Sequence, residues 1–168
     1  MLLKILIEIL ILWVIYATYM AMLVCKRGPV GGIFFYPKVM QDRVIELGLI
    51  SEQELKRRKL IAYISLIVWM LIVPGIMIIF VNGAGSWWDC SWQLYVLFLG
   101  AEFFDWLFID TLWVAVSDWW IIPGTEDLND TWHSVNVKKL KMLKLIPLSI
   151  PVAAVIGGLY WIIGRLIG

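Results

Sequence analysis

The chain has 168 residues, 62% of them apolar and only 16% charged, with a mean hydropathy of +0.87. A soluble domain carries about 45–50% apolar and about 25% charged residues, so the composition excludes an ordinary soluble domain and defines an integral membrane protein. A net charge of +1 without an isolated basic tract gives no footing for a nucleic-acid partner. Eleven tryptophans point the same way as the hydropathy, because indole rings favour membrane–water interfaces.

Taken in chain order, four apolar blocks predict membrane-spanning helices over roughly 2–24, 60–82, 92–122 and 142–167, each meeting the need for about 20 apolar residues. The first opens "MLLK" and contains "ATYMA", like a secretory leader. Glu8 interrupts it, however, and its apolar character outlasts an h-region, so it reads as a retained span. Lys4 and Glu8 have the i,i+4 spacing of an ion pair.

Residues 25–59 then form a loop too structured for a plain linker. "GPVGGIFFYPK" sets Gly-rich backbone beside Phe34, Phe35 and Tyr36, which suits a segment in the headgroup region or one packed beneath the bundle. Val44, Ile45 and Leu47 give the next stretch an apolar side, Gly48 can end that helix, and Ser51 with Glu54 forms a capping-box signature. An amphipathic cytoplasmic helical loop between the first two spans is expected.

The second block contains Pro74-Gly75. The fourth contains Pro147 and Pro151, then Gly157, Gly158 and Gly164. Proline inside a helix removes a hydrogen bond and kinks it. Such breaks suit either close packing through small residues or a cavity wall. Basic residues cluster in 25–59 and 123–141, while 83–91 has none. Positive-inside asymmetry therefore expects loops one and three in the cytoplasm and both termini outside. Cys25 and Cys90 would then face opposite sides and could not pair.

The third block is oily yet holds Glu102, Asp105 and Asp110, with Asp118 at its inner end. A charged Asp at a span centre costs about 2.5–3.5 kcal/mol on insertion scales, so these groups need protein or water. At about 100° per residue, Glu102, Asp105 and Asp110 share an arc of roughly 140° that also holds Trp106 and Trp113. Phe104, Leu107, Phe108 and Ala115 fall opposite, a lipid-compatible side. The only basic residues within the spans are Lys4, Lys144 and Arg165, too few for an internal ion-pair network over all three acids. Protonation, hydrogen bonds from Trp, Tyr16, Tyr19 or Tyr63, or a bound cation would satisfy the stripe.

After Pro123-Gly124, Asp127, Asp130 and His133 lie close in sequence and are candidates for a metal or for acid–base chemistry. The motifs of P-loop enzymes, zincins and serine hydrolases are missing from the sequence.

The expected fold is an all-α integral membrane protein of four transmembrane helices in one domain, a thin bundle that favours a homo-oligomer joined through span-four glycines. The expected function is transport or binding of a cation or cationic solute, with Glu102, Asp105, Asp110, Trp106 and Trp113 as the site. The alternative is a membrane-embedded enzyme acting on a lipid-like substrate, with Asp110 and His133 catalytic and Asp118 and Asp127 nearby. A structural or accessory subunit is the third reading. No cofactor is specified by the sequence.

Overall fold

A computed structural model describes residues 2–131 and 135–167. Its α-helices are α1 (Leu2–Val24), α2 (Lys38–Glu46), α3 (Glu52–Ile76), α4 (Trp87–Phe104) and α5 (Val135–Ile167), and no strand occurs among the described residues. A 3-10 helix, Gly28–Phe35, precedes α2. π-Helical turns extend α3 over Met77–Val81 and α4 over Asp105–Val114.

Among the described residues, three stretches are long and apolar enough to cross a membrane: Leu2–Val24, Glu52–Val81 and Leu143–Ile167. The expected span at 92–122 is not one of them, which corrects the four-span architecture to three candidate spans in an all-α bundle. The physical reason lies in its residues. Asp89, Gln93 and Glu102 interrupt the apolar run of α4, and Asp105 and Asp110 interrupt its π-helical extension. The π-helix ends at Val114, and a separate 3-10 turn covers Asp118–Trp120. This part of the chain carries too many acidic and polar residues to form one apolar rod.

α4 packs along α5 and against α1. The buried positions of α1 are Ile5, Glu8, Leu12, Met20 and Val24, a single stripe at helical spacing. Its other side exposes Leu3, Leu6, Ile7, Leu10 and Val14. Apolar exposure on this scale marks a surface that another phase or partner covers. Contacts between α1 and the α4 segment advance together, from Ile9 and Trp13 at Gly100 to Tyr16 at Asp105, so these two run parallel.

The small residues are used inside the chain. A Cβ on Gly157 would lie 2.5 Å from Ser91 Oγ and 2.7 Å from Ser91 N, so α5 meets α4 almost backbone to backbone. Gly158 faces Trp87, and Gly164 faces Ile79. At Pro74, Tyr160 of α5 lies against Gly75 and donates its hydroxyl to the Leu71 carbonyl at 2.5 Å. A neighbour thus satisfies a carbonyl next to the proline break.

Loop one packs beneath the bundle. Ile33, Phe34 and Tyr36 are buried with Met20, Val24, Trp120 and Ile122. The Tyr36 hydroxyl donates to the Trp120 carbonyl at 2.8 Å, and Arg43 pairs with Asp127 at 3.3 Å. Loop one and the 118–128 segment therefore close the same end of the bundle. Gly48, at φ 70°, follows α2, and Ser51 Oγ accepts the Glu54 N–H at 3.2 Å to cap α3.

Two outcomes follow from this packing. Gly157→Val forces α4 and α5 apart and is expected to destabilise by about 1–3 kcal/mol, read as a fall in Tm. Gly85→Ala, with open space around it, is expected to leave Tm unchanged. Burial raises the Tyr36 phenol above its ordinary range. The folded state therefore keeps that proton after the unfolded chain has lost it, and stability is expected to fall as pH rises past about 10. Tyr36→Phe removes this alkaline component, which pH-dependent denaturation in detergent measures.

Candidate functional site

α1, α3 and the α4 segment meet around a cavity of about 70 Å³, lined by Tyr16, Leu66, Trp69, Met70, Ala101, Glu102 and Asp105. That volume exceeds the roughly 10–15 Å³ that a single water needs. Tyr16 reaches it from the inward stripe of α1, and its hydroxyl donates to Asp105 Oδ1 at 2.6 Å. The phenol also lies within electrostatic range of Glu102 and Asp110. Trp69 comes from the middle of α3 and packs against Tyr16 with ring centroids 5.9 Å apart. Its indole Nε1 is buried and meets no acceptor among the described residues. The site thus combines carboxylates, a phenol, an indole face and a thioether inside an apolar wall. Chemically, that set suits a small positive species, through charge and through the ring face.

Glu102 and Asp105 both line the cavity, and from Asp105 onward the backbone is π-helical, so an α-helical wheel no longer applies. In the π-helix, backbone bonds span five residues, as in the Ala115 N–H to Asp110 carbonyl bond of 3.0 Å. Asp110 therefore follows Asp105 after about one turn, on the same side, rather than far around the arc. All three acids are half-buried.

Trp106 and Trp113 do not line the cavity. Trp106 packs beside Phe103, with its Nε1 buried and unbonded among the described residues. Trp113 stacks on Trp119 and meets Trp120 edge-on at 5.0 Å, in the core that closes the bundle end. Phe104, expected to face lipid, instead stacks on Trp13 at 5.1 Å because α1 covers that side. Tyr16 is the phenol that meets the acids, whereas Tyr19 bonds to the Ala62 carbonyl and Ser65. Trp69, Leu66 and Met70 escape sequence reasoning. The only signal for Trp69 is a tryptophan at mid-span rather than at an interface.

The enzyme constellation is not assembled among the described residues. Asp118 is exposed. Asp127 is held by Arg43 in a paired contact at 3.3 and 3.4 Å. Nearby, the Gly124 N–H lies 2.9 Å from a Glu126 oxygen and holds that carboxyl below its ordinary value. His133 and the side chain of Asp130 lie outside the described residues. No group of three or more His, Cys, Asp or Glu side chains placed for a metal ion occurs among those described. Cys25 is exposed and Cys90 buried, and both are free thiols.

Fold and site together define an all-α protein of apolar helices, with a buried glutamate, Glu8, inside one candidate span. No protein-family model, curated protein or solved structure matches the chain.

Tyr16→Phe deletes the donor to Asp105 while keeping the ring. It is expected to cost about 1–2 kcal/mol, measured as a lower Tm by tryptophan fluorescence in detergent.

Proposed function

We propose that this is a small membrane protein that binds a small organic cation between α1, α3 and α4, as a binding protein or transporter. The cavity that joins Glu102 and Asp105 to the Tyr16 hydroxyl and the Trp69 ring carries the reading. Carboxylates supply charge, and the ring supplies a negative face worth about 2 kcal/mol when desolvated. In this reading, lipid covers the outward faces of α1, α3 and α5. The end closed by loop one and residues 118–128 faces the cytoplasm. The Lys and Arg of loop one support that orientation.

Methylammonium is the simplest probe, since it offers one ammonium and one methyl group. Titrated into purified protein in nanodiscs, it is expected to bind saturably by calorimetry. Asp105→Asn or Glu102→Gln is expected to weaken that binding at least tenfold, about 1.4 kcal/mol. Equal affinity in the parent and both variants rejects the proposal.

A further inference from the structure

We propose that Glu8, Asn82 and Gln93 form a second site, separate from the Asp105 cavity, that holds one small monovalent cation. Glu8 is only 4% exposed, in a helix stretch otherwise built of Leu and Ile. Its Oε2 accepts from Asn82 Nδ2 at 3.1 Å, and the same nitrogen donates to Gln93 Oε1 at 2.8 Å. This fork directs both amide hydrogens of Asn82 onto neighbouring oxygens. Glu8 Oε1 and Asn82 Oδ1 remain as buried acceptors that no donor among the described residues reaches.

The sequence suggests Lys4 as the counter-charge, one helical turn away. Its ammonium instead donates to the Val81 carbonyl. A buried carboxylate oxygen and a buried amide oxygen, attached to groups already hydrogen-bonded to each other, call for positive charge. Hard cations take such oxygen ligands. One carboxylate among neutral amides balances one positive charge, whereas a divalent ion would leave net charge desolvated. The three residues come from α1, the end of the π-helical extension of α3, and α4. An ion held there ties those three elements together, so its binding stabilises the fold.

The probe is Na⁺, raised at constant ionic strength against choline chloride, with Tm read by tryptophan fluorescence of the full chain in nanodiscs near neutral pH. The parent is expected to show a saturable rise, about 5 °C or more at a hundredfold excess over Kd. Glu8→Gln, nearly isosteric, is expected to abolish that rise. Asn82→Ala removes the second oxygen and is expected to weaken the Na⁺ midpoint at least tenfold, and it decides the matter should Glu8→Gln not fold. A parent indifferent to Na⁺, with Glu8→Gln equally stable, overturns the proposal in favour of a neutral acid. A rise that persists in both variants overturns it by placing the ion elsewhere.

Discussion

The contact between Trp13 and Gly100 sets the register of α1 against α4, and the polar chemistry of the bundle depends on that register. The indole N–H donates to the Gly100 carbonyl at 2.9 Å, and a Cβ at Gly100 would lie 2.9 Å from Ile9 side-chain atoms. The helices therefore touch where a side chain is missing. In that register the stripe of α1 turns Glu8 toward Asn82 on one side of the contact and Tyr16 toward Asp105 on the other. Sliding α1 by a single residue along α4 would rotate both groups away together, by about 100°.

Acids inside apolar helices impose a second constraint, because each must be met from a different helix. Within α4 and its π-helical extension, the neighbours of Asp105 are apolar or aromatic residues and the acids Glu102 and Asp110. The hydroxyl that answers it comes from α1, and the cavity wall opposite comes from α3. Glycines and prolines serve the same end. Gly157 lets α5 close on Ser91, and Tyr160 answers the Leu71 carbonyl beside Pro74. Glycines expected to join copies of the chain are thus already engaged within it.

Local rules made much of this legible. The apolar blocks at 2–24 and 142–167, the cap at Ser51 and the stop at Gly48 follow from hydropathy and turn chemistry, which depend on near neighbours. The pairing of Glu102 with Asp105 was readable because both precede or open the π-helix. Trp106 and Trp113 lie away from the cavity; periodicity assumes one residue spacing, and a π-helix changes it without a sequence signal of its own. Trp69 was invisible for another reason. Its role is set by which helix α3 faces, a tertiary fact that composition within α3 does not encode. Asn82 was likewise lost at the end of an apolar run, where a polar residue reads as an ordinary terminus.

The two polar clusters are kept apart by an apolar layer. Leu12 lies between Glu8 and Tyr16 on α1, and Leu94 and Leu97 lie between Gln93 and Glu102 on α4, all three at most 1% exposed. Glu8 and Tyr16 are about 12 Å apart along the helix axis, eight residues at a 1.5 Å rise. No ion crosses that layer cheaply, since an unpaired charge among leucines lacks any hydrogen-bonding group. The clusters nonetheless feel each other. Two unit charges about 12 Å apart interact by about 1.4 kcal/mol at an effective dielectric constant of about 20. A cation at Glu8 cancels a negative charge that would otherwise attract a cation toward Asp105. Were both clusters to hold cations as proposed, occupancy at one end would weaken binding at the other by up to about tenfold, and linkage would make the effect equal in both directions. Separation by leucines thus isolates the clusters as pathways while leaving them coupled as charges.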